Sequence, residues 1–250
     1  MTVEAFFAIN ENLGVPPLDA VIWRYMPPWV FRDLLEQRAL WFSSLDILQD
    51  VFEGQVPKAN FLPPWEVVVG ALGPYLAHAK GIRERASKAY LDAVDHERPL
   101  NMVNCWHIAA EQSDFMWASY AAEKGSVAVR SSVGQVAKAI HVDGAQHLVF
   151  AWPITYIDHD KQAVTMEHLL APFFVKGRLY KDEQEVRFLL HLPKPVDKGS
   201  HVSVRTEELF DSVYVRTNGD QAALIEVREQ LKEAGVDRPV EVGTGVGQMR

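Results

Sequence analysis

The chain has 250 residues, 48% of them hydrophobic, and its seven tryptophans and twelve phenylalanines are enough to fill a real core. With 23% charged residues and a formal net charge of −8, it is neither a disordered chain nor one suited to general binding of nucleic-acid phosphate. A single cysteine, Cys105, excludes an intrachain disulfide and a cysteine zinc framework, and points to a reducing compartment, the cytoplasm.

The opening residues, MTVEAFFAINENLG, lack the cationic start and apolar run of a secretion signal. No stretch reaches the roughly 18 uninterrupted apolar residues of a membrane span, so no membrane partner is expected. Residues 1 to 20 read as an arm or short helix. Val21 to Met26 (VIWRYM) then reads as a strand of β-branched and aromatic residues. Arg24 is its odd member, because a guanidinium among apolar side chains needs a carboxylate or phosphate partner. Pro27-Pro28 opens a helix to about Arg38, since proline suits a first turn. Ala39 to Ser44 (ALWFSS) follows as a strand ending in two serines, and Leu45 to Gly54 as a turn carrying Asp46, Asp50 and Glu53.

Residues 57 to 98 read as a helical insertion, helical over 65 to 96 and hinged near Gly73-Pro74. Asn101 to Ile108 (NMVNCWHI) reads as a strand, and the helix after it takes Ser113 as its N-cap. In that helix Met116-Trp117 and Tyr120 read as core packing. Further strands are expected at Ser126 to Ser132, Leu148 to Ile157, His201 to Arg205, Asp211 to Arg216 and Pro239 to Val242. Asp220 to Gly235 is an amphipathic helix stopped by glycine, and the tail GTGVGQMR is expected to be mobile.

The stretch Phe173 to Leu192 organises the rest. Read as a strand with its core at Glu183 to Leu190, it puts Gln184, Val186, Phe188 and Leu190 on one face and Glu183, Glu185 and Arg187 on the other. Lys176 and Tyr180 lie just upstream. That polar face is either a solvated surface or the floor of a site. Strand runs outnumber helical ones without strict alternation. The expected fold is therefore a single α+β domain over 1–250, with a mixed, mainly antiparallel sheet and flanking helices. Neither GxGxxG after a strand nor GxxxxGK[ST] is present, and the nine histidines show no metal spacing, so no metal site is expected.

Taken in order, Trp23-Arg24-Tyr25, Leu40 to Ser44, Asp50-Val51-Phe52-Glu53, Cys105-Trp106, Met116-Trp117 with Tyr120, and Glu183-Gln184-Glu185-Val186-Arg187 resemble the bacterial domain-of-unknown-function family 2971. The pieces span roughly residues 21 to 192. The family's acidic turn reads Asn-Asp-Pro-Phe-Glu, and here Gln49 and Val51 stand in place of its Asn and Pro. The resemblance implies a bacterial or phage-related cytoplasmic protein of a family suspected of a role in defence, such as phage defence, and supplies no reaction.

Three chemistries fit these residues. The first is ADP-ribosyl transfer from NAD, or NAD cleavage. The Arg-specific ADP-ribosyltransferases use an early arginine, a serine-bearing strand and a late Glu-x-Glu in that order. Arg24 would grip the pyrophosphate, and Ser43 or Ser44 would hold the ribose. Glu185 would stabilise the oxocarbenium, with Glu183 orienting a protein or nucleic-acid acceptor. Trp23, Tyr25 or Trp117 would stack on the nicotinamide, and Arg187 would add to the cofactor site. The second is a non-enzymatic module that senses a nucleotide or anion, or binds a partner, through Arg24, Lys176 and Arg187. The third is a metal-dependent phosphodiesterase using Asp50, Glu53, Glu183 and Glu185, which the arginine at position 187 disfavours because arginine does not give up its proton. Against all three, Arg24 reads equally well as a strut paired to Asp50 or Glu53. Cys105 reads as a small buried core residue, since His107, two positions along the strand, is about 7 Å away.

Overall fold

The computed structural model describes residues 16–48, 50, 52–60, 73–140, 149–164 and 169–244, with backbone alone for 73–83. Expectations for 1–15, for the first part of the insertion at 65–72 and for the tail at 245–250 lie outside the described residues. In chain order the elements are β1 (Val21–Met26), α1 (Pro28–Gln37), β2 (Ala39–Ser44), α2 (Gly73–Glu97) and β3 (Asn101–Ile108). They continue with α3 (Asp114–Tyr120), β4 (Val127–Ser132), α4 (Val133–Ala139), β5 (Val149–Pro153) and β6 (Thr155–Ile157). The last are β7 (Val175–Gly177), β8 (Glu185–His191), β9 (Gly199–Ser203), α5 (Thr206–Leu209), β10 (Ser212–Val215), α6 (Ala222–Glu233) and β11 (Val240–Val242). The fold is α+β, with a mixed, mostly antiparallel sheet. Among the described residues, no helix is long and apolar enough to cross a membrane.

Local chemistry sets several boundaries. Pro28 opens α1, and Arg38 closes it in the left-handed region at φ 48°, its N–H bonded to the Leu34 carbonyl. That reversal lets β2 begin at the next residue. The Ser113 hydroxyl caps α3 by accepting from the Met116 N–H at 3.3 Å.

Two elements differ from their sequence reading. The 173–192 stretch is not one strand. It runs as a 3-10 turn (Ala171–Phe174), β7, a second 3-10 turn (Arg178–Glu183) and then β8. Gln184 sits between the last two at φ 40°, so the alternation begins only at Glu185. The expected strand to Ile157 breaks at Ile154, and β5 and β6 join different sheets, β6 pairing parallel with β7. The described part of α2 begins at Gly73, so the expected hinge at Gly73-Pro74 lies at the boundary of the described residues.

In the large sheet β1 lies between β4 and β3, with β10 and β11 beyond β4, while β2 also pairs with β3 and carries β9. β8 pairs with β3 from Asn101–His191 to His107–Glu185, and β5 lies against β8. Because β8 takes one whole edge of β3, β1 and β2 must share the other. β1 pairs there only with Ile108 and His107, and β2 only with Val103 and Met102. Between them β1 leaves for β4 and β2 leaves for β9, so the sheet forks over Asn104, Cys105 and Trp106.

The strand pleat divides the core. Ile22, Met26, Trp106, Val186 and Phe188 pack on one face with Phe31 and Leu34 of α1, Val136 of α4, and Leu224 and Val227 of α6. The other face carries two smaller clusters. One joins Val103 and Leu189 to Val94 of α2 and Phe173. The other joins Trp23 and Tyr25 to Met116 and Trp117 of α3. The polar residues lie between these two clusters.

Candidate functional site

At the fork the free edge of β3 is met by a side chain. Arg24 shares the pleat side of Ile22 and Met26, yet its guanidinium turns into the gap, where Nη1 donates to the Cys105 carbonyl at 2.8 Å. This bond replaces one that a continuing strand would have made. Among the described residues no carboxylate pairs with Arg24, so it is not the strut to Asp50 or Glu53. Burial lowers its pKa from the usual arginine value, opposed only weakly by Cys105. Among the described residues the cation is under-compensated.

The strut is Arg187. It is 0% exposed, and its three donor groups are spent inside the protein. Nε donates to Glu185 Oε1 at 2.7 Å, Nη2 to Glu53 Oε1 at 2.5 Å and Nη1 to the Phe173 carbonyl at 2.7 Å. Lys176 stands beside it among three carboxylates, at 2.6 Å from Glu183, 3.3 Å from Glu185 and 3.5 Å from Glu53. The Tyr120 hydroxyl donates to the other oxygen of Glu183. The Glu185 backbone N–H donates to the Tyr156 hydroxyl at 2.8 Å.

The protonation states follow. Burial alone would raise the Glu185 carboxyl, but the charges of Arg187 and Lys176 outweigh it and hold the group down to about 2. Burial would likewise lower Lys176, and Glu185, Glu53 and Glu183 reverse that, so it stays charged. Cys105 is driven the other way: burial raises its thiol and the Glu185 charge raises it further. It is no nucleophile at neutral pH. Asp50 is built into the turn, accepting from the N–H of Phe52 at 3.0 Å and of Gly177 at 3.1 Å.

These groups surround a cavity of about 370 Å³. The structure brings six of the expected residues to its wall: Trp23, Arg24, Tyr25, Ser43, Glu183 and Glu185. Three do not reach it. Ser44 is buried and caps the following 3-10 turn through the Asp46 N–H. Trp117 is fully buried edge-on against Tyr25, its Nε1 donating to Gln112. Arg187 is sealed behind Glu185 and Glu53.

Sequence reasoning passed over other wall residues. Tyr120, read as packing, is 45% exposed and serves Glu183, while Met116 one turn earlier is the buried member of the pair. Trp41 and Asn104 lie along the fork, the Asn104 amide donating to the Trp41 carbonyl at 2.8 Å. No local pattern marks Trp41 or Asn104, because the exposure of Trp41 arises only where β2 parts from β1. The cavity's aromatic wall, the Arg24 cation that no described carboxylate pairs with and the carboxylate cluster around Lys176 suit a ring-bearing anion that also offers hydrogen-bond donors.

Compared with family models, with curated proteins and with solved structures, the chain matches none.

Proposed function

We propose that the fork cavity binds a small anion of the nucleotide class and that the protein works as a binding module for it. The observation that carries this reading is Arg24, a guanidinium held at the cavity by one carbonyl bond, with no carboxylate partner among the described residues. A phosphate there would restore the compensation that burial removes. Trp41 and Tyr180 bring aromatic rings to the same cavity. The volume of about 370 Å³ lies in the usual range for small-molecule sites.

Glycosidic cleavage of NAD is the second reading. In its favour, Arg24, Glu183 and Glu185 border one cavity. Against it, Glu185 is held by two cations and has little basicity or free charge to lend to a transition state. The metal-dependent reading meets the same obstacle, because Lys176 and Arg187 already hold the oxygens of Glu53, Glu183 and Glu185.

The test is calorimetric titration with ADP-ribose, AMP and adenosine. ADP-ribose and AMP should bind at least about tenfold more tightly than adenosine, as a charged hydrogen bond worth about 1.5–3 kcal/mol requires. Arg24→Gln should erase that difference and leave the melting temperature unchanged. Absence of binding, or equal binding by the variant, overturns the proposal. Nicotinamide released from NAD would move the balance to the enzymatic reading.

A further inference from the structure

His107 is the penultimate residue of β3, opposite Trp23 on β1 and Glu185 on β8. It is buried and borders the cavity. Its Nδ1 lies 2.6 Å from the backbone carbonyl oxygen of Glu183. A carbonyl only accepts, so in the neutral ring the proton sits on Nδ1 and the tautomer is fixed. Nε2 then carries a lone pair, and no described residue donates to it. The ring is braced edge-on by Tyr25, at 6.1 Å between centroids.

The neighbouring donors are already engaged. Lys176 from β7 is directed at three carboxylates, Tyr120 from α3 at Glu183, and Arg24 from β1 at the Cys105 carbonyl. Glu183 and Glu185, from the β8 side, have nothing to donate. Burial lowers the basicity of His107, partly offset by the bond to the Glu183 carbonyl and by its charge, so the ring is neutral at physiological pH.

We infer that His107 is a specificity residue of the cavity: its Nε2 accepts a hydrogen bond from an O–H or N–H of the bound molecule. The site thereby selects an anion that also carries a donor, such as a sugar hydroxyl or a base N–H, over a bare phosphate. The inference rests on the cavity being the nucleotide site proposed above.

The experiment follows histidine ¹⁵N resonances in the full chain on adding ADP-ribose, with inorganic pyrophosphate as the donor-free anion. The unprotonated Nε2 signal of His107 should move upfield with ADP-ribose, as for a newly hydrogen-bonded lone pair, and stay in place with pyrophosphate. His107→Leu should weaken ADP-ribose binding about tenfold and leave pyrophosphate binding unchanged. His107→Gln, which keeps an acceptor near the Nε2 position, should recover most of the loss. If ADP-ribose binds and the Nε2 signal stays still, the role of His107 is disproved and the anion site stands. If ADP-ribose does not bind, the site reading fails and takes this inference with it. The wild-type spectrum decides even if the leucine variant does not fold.

Discussion

Arg187 shows how far a single residue type constrains the fold. A fully buried guanidinium is tolerable only if its charge is compensated and each nitrogen finds an acceptor, and here two carboxylates and a carbonyl supply them. Arg187→Met should therefore leave Glu53 and Glu185 buried with part of their compensation gone, and cost about 3–5 kcal/mol in urea unfolding. A loss under about 1 kcal/mol would mean water already reaches the pair. Which arginine would play this part was only half legible. Arg24 stands out in sequence as a cation in an apolar strand, whereas Arg187 reads as one of three charged residues on a polar face. The partner of Arg24 depends on β1 and β2 separating along β3, a long-range event that no local pattern records. Lys176 was grouped with the anion binders because its three carboxylate neighbours come from the turn at Glu53 and from the β8 approach, distant or out of register in sequence.

At the scale of elements, β1, β2 and β3 fall at the residues their β-branched and aromatic runs indicate, because each is covered on at least one face. The stretch before β8 defeats the same logic. Period-2 reading assumes extended backbone, and Gln184 at φ 40° breaks it between the two glutamates. Both carboxylates still reach one site, since Glu183 arrives from a 3-10 turn and Glu185 from the strand. The pairing of β2 with β9 depends on Gly199 at φ 138°, where a Cβ would stand 2.2 Å from the Phe42 carbonyl oxygen and 2.9 Å from the Trp41 ring. Gly199→Ala should cost about 3 kcal/mol, combining backbone strain with the clash. Gly219→Ala, at φ 84° with nothing within 4 Å of the new methyl, should cost about 1–2 kcal/mol. Equal losses in thermal or urea unfolding would show that the β2–β9 contact carries no special weight.

For the whole molecule, the ion cluster ties the acidic turn, β7, β8 and α3 together, so its protonation bears on global stability. Glu185 has an ordinary value of 4.5 and is held in the fold at about 2. Its folded pKa is depressed, so its contribution is complete above pH 4.5 and is lost as pH falls from there toward 2. Unfolding in that window takes up an extra proton at this site, with a slope approaching about 1.4 kcal/mol per pH unit. Urea unfolding at stepped pH should show the decline below 4.5 and a shallower one in Arg187→Met. A wild-type curve that stays flat through the window would contradict the charge assignment.

The fork has one more consequence, for self-association. An exposed strand edge normally invites pairing with another chain. Here the open hydrogen-bonding stretch of β3 covers only Asn104 to Trp106 and is bracketed by β1 on one side and β2 on the other. A foreign strand has no length over which to zip. The fork thus gives aggregating neighbours no template at that place.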